Sequence, residues 1–348
     1  MARPRPRPCR LRLGFARQQA GQPSPGLRPL LKRRTDDLLP APFRPCRASD
    51  RRAAAASHAA AARPSRRPVV RHERFDTPGA LRLDLSVPAG EIDVRTQEGA
   101  ETTVDLEPLR ANDASVEAVE SAQIQLRDRA GGTHELLVDV PGARGLGIFS
   151  RGSAVRLVVR CPVGAALEAE GGSADVHAAG RYAEVEVRTG SGDVEVAEVD
   201  GDAKVKSGSG DVSLERVEGE LNAQTASGDL EVGRAGGRAS LRAASGDVVV
   251  RDATSELTVQ TASGDVRVHA VSAGAVSLQS ASGDVYVGVR KGRTLWVDAK
   301  SMSGDTTSDF DVGDAPEEEE GPLVELRVAT MSGDVHVARA DARAELER

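Results

Sequence analysis

Large rings are nearly absent. The 348 residues hold five Phe, two Tyr and one Trp, 2% of the chain. Rings ordinarily fill a thick globular interior, so their scarcity argues for a thin core. Cysteine is scarce as well. Cys9 and Cys46 lie in the first fifty residues and Cys161 stands alone in the rest. That excludes a disulfide framework within the body and fits a reducing compartment. No run of about 18 apolar residues occurs, so no helical membrane span is expected. No continuous apolar segment follows the N-terminal charges, so no export signal is evident. A cytoplasmic place is the expectation, with the cell surface as the alternative.

Acids are missing from the opening stretch. Residues 1–70 carry 17 Lys and Arg against Asp36, Asp37 and Asp50, and hold 11 of the 18 prolines. Proline and like charge both oppose a packed core, so 1–70 reads as a disordered basic leader. It is read first as an inert or over-extended start, with a polyanion tether or a targeting address as the competing readings. The rest, 71–348, has 29 basic and 50 acidic residues. Such a body repels phosphate, which argues against nucleic acid as its partner.

What the chain has in abundance is one phrase. SGD recurs with its serine at Ser191, Ser209, Ser227, Ser245, Ser263, Ser282, Ser303 and Ser332, at spacings of 18, 18, 18, 18, 19, 21 and 29. A degenerate copy, GSADV with Ser173, precedes them by 18. A fixed period of this length marks a stacked array. Small aliphatics alternate on both sides of each phrase, as in Leu257/Val259 before it and Val266/Val268 after it. Period two with β-branched residues means strand, and the recurrent glycine excludes helix.

Each unit is therefore strand, SGD turn, strand and a variable turn such as VDGD at Val199 or VEGE at Val217. One unit cannot bury its own apolar stripe. Units stacked in parallel at about 4.8 Å enclose a slender core, and nine of them rise about 43 Å. The expected fold is all-β: a parallel β-solenoid of about nine rungs over 171–340. A β-rich, partly antiparallel cap over 71–170 precedes it and a short tail, 341–348, follows. The cap is needed because a solenoid otherwise leaves a raw sheet edge. AGEIDV at Ala89 echoes the repeat as a divergent rung. A helix is expected at DASVEAVESA with Asp113 as its N-cap. The long interval before Ser332, with its SDFDVGDAPEEEEGP, reads as an outward acidic loop. Trp296 is expected to cover the core near the C-terminal end.

Stacking places Asp193, Asp211, Asp229, Asp247, Asp265, Asp284, Asp305 and Asp334 in one column. Carboxylates about 4.8 Å apart repel by roughly 0.9 kcal/mol in water, so something must offset this. The first reading is local: Asp accepts turn N–H groups and Ser assists. The glycines Gly192, Gly210, Gly228, Gly246, Gly264, Gly283, Gly304 and Gly333 supply an unusual backbone angle. The sharper reading is a row of bound cations such as Ca²⁺; a catalytic carboxylate pair is the third. Eight equivalent acids suit a structural role better than catalysis, which needs carboxylates in two different environments. His72, His134, His177, His269 and His336 are scattered without metal-ligand spacing. Neither a GxSxG elbow nor a GxxxxGK[ST] loop occurs. No enzyme activity and no cofactor are expected.

The TASGDV phrases, the closing VELRVATMSGDV and the opening RHERFDTPGALRLDLSVPAGEIDVRT together resemble the bacterial putative-adhesin family of β-strand-repeat proteins, over about 71–340. The resemblance implies a parallel β-solenoid and no known enzyme activity. The expected function is a non-enzymatic, adhesin-like scaffold that offers a long, acidic, regular face to a protein partner or to itself. A cation-dependent surface adhesin and a polysaccharide-acting β-helix enzyme are the alternatives. No small-molecule ligand is identified.

Overall fold

The computed structural model describes residues 70–129, 131–142, 153–310 and 322–340. The expected leader up to residue 69, residues 311–321 of the expected acidic loop at 308–322, and the tail beyond 340 lie outside the described residues.

The repeat folds as its alternation requires. Strand Leu221–Ser227 pairs in parallel with Ala203–Ser209 on one side and Ala239–Ser245 on the other, each eighteen residues away in register. Strand Leu230–Ala235 does the same with Val212–Val217 and Val248–Ala253. Parallel strands buried from one face need like residues in register, and the sequence supplies them. Val194, Val212, Leu230, Val248 and Val266 form one inward column, none more than 1% exposed. Each such side chain contributes roughly 1.5–3 kcal/mol by leaving water. The turn after the second strand begins later than the spacing suggests. Val199, Val217, Ala235, Ala253 and Val271 are buried strand ends and form a further inward column.

Stacking order equals sequence order through the middle of the molecule and departs from it at both ends. The last SGD corner does not end the stack. Strand Leu323–Ser332 pairs with Gly274–Ser282 on one side and with Thr294–Ser303 on the other. Strand Val335–Arg339 likewise lies between Val285–Val289 and Thr306–Ser308. The layer containing Ser303 is thus outermost, and the later layer of Ser332 is slipped beneath it. The 29-residue spacing reflects this return, which spacing alone does not reveal.

The N-terminal end repeats the device. LRLDLSV and EIDVRT belong to one continuous strand, Ala80–Gln97. It pairs in parallel with Ala165–Ser191 on one side, and with Thr133–Asp139 and Val155–Pro162 on the other. Ala89 stands opposite Ser173 and Glu91 opposite Asp175, so AGEIDV is a rung of the stack. The expected cap therefore supplies layers of its own. What closes the end is antiparallel: Glu101–Pro108 on Val155–Pro162, Arg71–Asp76 on Glu101–Pro108, and Gln123–Arg129 on Thr133–Asp139. The helix is Asp113–Ser121, and its N-cap is Asn112 rather than Asp113. The Asn112 side chain accepts the Ser115 N–H at 2.7 Å, leaving Asp113 in the first turn, where a carboxylate suits the helix dipole.

Two side chains differ in placement from what composition suggests. Tyr182 is fully buried, and its hydroxyl donates to the Val94 carbonyl at 2.8 Å; burial pushes this phenol above its ordinary range. It stands opposite Val199, so one ring fits where a bulge beside Arg181 widens the column. Trp296 does not cover the core. It faces outward opposite Glu325, with the Arg327 guanidinium 5.6 Å from its ring centre, while Val297 beside it packs inward. Cys161 is buried, and burial pushes its thiol up to about 12.

Candidate functional site

The aspartate corner is where the sequence concentrates its one repeated polar motif. Corner serines stand opposite one another, Ser209 on Ser227, Ser245 on Ser263 and Ser282 on Ser332, so the column exists. Backbone bonds first tie each corner to the next. Gly210 N–H donates to the Ser227 carbonyl at 3.1 Å, and Val212 N–H to the Asp229 carbonyl at 2.9 Å. Between them the Asp229 N–H points back toward the previous layer, where a carboxylate meets it: Asp229 N–H donates to Asp211 Oδ1 at 2.9 Å.

That bond repeats along the stack. Asp193 N–H donates to Asp175, Asp211 to Asp193, Asp247 to Asp229, Asp265 to Asp247, Asp284 to Asp265, Asp334 to Asp284 and Asp305 to Asp334, at 2.8–3.1 Å. Among the described residues every corner carboxylate but that of Asp305 accepts a turn N–H, as expected, but the turn belongs to the next layer and not to its own. A charge-assisted acceptor for every otherwise unpaired N–H is what offsets the repulsion of stacked carboxylates. Arg267 adds an ion pair to Asp265 at 2.7 Å.

The glycines have two reasons to be there. Seven of the eight corner glycines, all but Gly192, have positive φ, Gly246 at +128°. A Cβ on Gly246 would also sit 2.1 Å from the Gly228 carbonyl oxygen of the layer below. The serines contribute less than expected: the described residues show no hydrogen bond from a corner serine hydroxyl. Hydroxyls two positions earlier do that work, Thr225 Oγ1 donating to the Ser227 carbonyl at 3.1 Å and Thr261 Oγ1 to that of Ser263 at 3.2 Å. The sequence carried this signal in the T of TASGD.

No other chemistry converges. Among the described residues no three His, Cys, Asp or Glu side chains are placed to hold a metal ion. His177 meets Glu195 and His134 meets Asp128, each as a separate surface pair. A depression of about 430 Å³ between Arg188 and Lys206 is an open crease along three glycines, with Arg188 already paired to Glu170 at 2.8 Å.

One outer face differs from the acidic face expected. On the strands that precede the corner, the outward pairs from the layer of Ser227 to that of Ser282 are Asn222/Gln224, Ser240/Arg242, Thr258/Gln260 and Ser277/Gln279. That face carries amides, hydroxyls and one cation. Acids gather at the two rims, the Asp column on one side and Asp200, Asp202, Glu218, Glu220 and Glu256 on the other, and on the strands after the corner at Glu195, Glu215 and Glu231.

Three solved structures align along most of their own length. One described as a "putative lipid binding protein" from Parabacteroides distasonis shares 13% identity, covers 77% of this chain and 96% of its own, and has a TM-score of 0.39. A "putative adhesin" from the same organism shares 12%, with 77% and 96% covered and a TM-score of 0.37. A "putative adhesin" from Bacteroides fragilis shares 13%, with 78% and 98% covered and a TM-score of 0.35. Those descriptions are of those proteins, and superpositions this loose lend them no weight here. No curated protein matches the chain. A family model does, over residues 82–338, nearly the whole of the stack described above: the chain belongs to the Toastrack DUF4097 family.

Proposed function

We propose that the protein is a non-enzymatic binding scaffold whose flat face, on the strands preceding the SGD corner, docks a protein partner. The observation that carries this is the distribution of charge. Between the layers of Ser227 and Ser282 the face offers amide and hydroxyl groups around Arg242, framed by acidic rims. Parallel pairing on both sides holds these groups at fixed spacing, so little conformational entropy is lost when a partner orders them. A complementary surface is flat and polar at its centre and basic at its edges. The corner carboxylates are hydrogen-bonded acceptors in equivalent settings, which suits a structural role and not acid–base work. The scarcity of cysteine favours a cytoplasmic place; recovery of the chain in the envelope fraction overturns that part.

The test is cross-linked capture by the full chain in native lysate, comparing two variants. Gln260→Arg with Ser277→Arg puts bulk and charge on the proposed face, and Arg251→Glu alters the opposite one. The expected result is that species captured by the unmodified chain fall about tenfold with the first variant and persist with the second. No capture, or equal capture by both variants, overturns the reading. So does turnover of any member of a glycan panel.

A further inference from the structure

We infer that the C-terminal end of the stack pairs with the same end of a second copy, strand Thr294–Ser303 against its twin in antiparallel orientation. This uses the end of the solenoid and not its faces, so it stands or falls separately from the proposed partner site.

The two ends of the molecule are finished differently. At the N-terminal end the outermost strands are RHERFD over Arg71–Asp76 and QIQLRDR over Gln123–Arg129, dense in charge, as protected edges are. At the other end, among the described residues, Thr294–Ser303 pairs only with Leu323–Ser332. Its sequence, TLWVDAKSMS, places Leu295, Val297 and Ala299 part-buried at the mouth of the core. The position before each SGD is Gly or Ala in the inner layers, but Met331 and Met302 in the last two, 59% and 78% exposed. Leu323, opposite Thr294 at the far end of the strand from Met331, is 50% exposed. Among the described residues, an open strand edge and a pair of exposed methionines therefore coincide at this end.

Charge selects the occupant and the register. The outward residues of the edge strand are Trp296, Asp298, Lys300 and Met302, and Asp298 pairs with Lys300 within the strand at 2.8 Å. An antiparallel twin centred on Ala299 sets Asp298 opposite Lys300 of the other copy, Lys300 opposite Asp298, and Trp296 opposite Met302. Both charge pairs are then complementary across the strands, and each ring meets a thioether. A two-fold axis closes such a contact into a dimer. The charge-dense antiparallel strands at the far end oppose growth into a filament. A ten-residue edge is about 33 Å long, and the area it buries is at the low end for specific interfaces, so association is expected in the micromolar range.

Sedimentation velocity of the full chain over a concentration series tests this. The unmodified chain is expected to move reversibly from monomer to dimer. Asp298→Lys sets like charges opposite one another and is expected to weaken dimerisation about tenfold. Asp298→Lys with Lys300→Asp restores opposite charges and is expected to recover it to within about threefold. Both residues lie on the outer face, so the fold, followed by circular dichroism, should be unchanged in all three. A chain that stays monomeric at every concentration, because its own residues or another protein cover the edge, overturns the inference. So does a dimer indifferent to Asp298→Lys, a double swap that fails to recover, or open-ended assembly.

Discussion

The middle of the stack and its two ends obey the same pairing rules but are threaded differently. From the layer of Ser191 to that of Ser282 each turn of chain lies on the one before it. At each end one layer comes from a segment out of sequence order, Ala80–Gln97 at one end and Leu323–Ser332 with Val335–Arg339 at the other. Repeat proteins fray from their termini, because a terminal layer has a neighbour on one side only. At the C-terminal end, slipping a later segment beneath the outermost layer gives that segment two neighbours. It also leaves the outermost layer, Thr294–Ser303, connected to paired chain at both of its ends. The cost is contact between residues about fifty apart where neighbouring layers in the middle are eighteen apart, a modest increase in loop-closure entropy.

The comparison breaks most sharply if one buried charge has equal effects in both places. Val248 is fully buried in the middle, with strands on both sides. Val248→Asp leaves a carboxylate without a partner inside the slender core and should cost about 4 kcal/mol or more, enough to unfold the stack. Val297 faces the same core from the outermost layer and is part-buried. Val297→Asp should cost about 1 kcal/mol, since water reaches it. Denaturant titrations followed by circular dichroism measure both, and equal losses would mean that the end is as closed as the middle.

The glycines sharpen the same contrast at the corners. Gly246 and Gly99 have nearly the same φ, +128° and +127°, but a Cβ on Gly99 meets nothing within 4 Å while one on Gly246 runs into the Gly228 carbonyl. Gly99→Ala should cost about 1–2 kcal/mol from backbone strain alone. Gly246→Ala adds the forced separation of two layers and should cost about twice that. The difference in thermal midpoint between the two variants isolates the closeness of stacking from the backbone angle.

How much was legible follows from which features repeat. Period-two alternation and the eighteen-residue interval fix strands, inward columns and the corner, because each copy restates the same constraint. The out-of-order layers leave no such trace. Ser303 and Ser332 look alike in sequence, and nothing in TLWVDAKSMSGD or VELRVATMSGDV says which is outermost. Asn112 and Asp113 are both good caps, and only the direction of the chain before the helix decides between them. The aspartate ladder was half legible: the residue and its column were clear, but its partner is the N–H of a different layer, eighteen or more residues away. Summing charge over the body did not show which face is acidic: the strands before the corner are nearly free of acids from Asn222 to Gln279, while Glu195, Glu215 and Glu231 stand on the strands after it.

The smallest expected effects test the ladder itself. Asp247 accepts the Asp265 N–H at 2.8 Å, whereas Asp305, in the outermost layer, accepts none among the described residues. Asp247→Ala strands that N–H and removes the longer, 3.5 Å contact of Arg267, which stays paired with Asp265, and should cost about 1–2 kcal/mol. Asp247→Asn keeps an oxygen in place and relieves repulsion between neighbouring carboxylates, so its cost should stay below about 1 kcal/mol. Asp305→Ala should change stability by no more than about 0.5 kcal/mol, because no described layer beyond it needs an acceptor. Equal losses for Asp305→Ala and Asp247→Ala would mean that the carboxylates brace their own turns after all. A loss for Asp247→Asn as large as for Asp247→Ala would point instead to a role for the charge. If the three fall in the expected order, the repeated aspartate is an acceptor that joins layers, and the last member of its column is the one that can be spared.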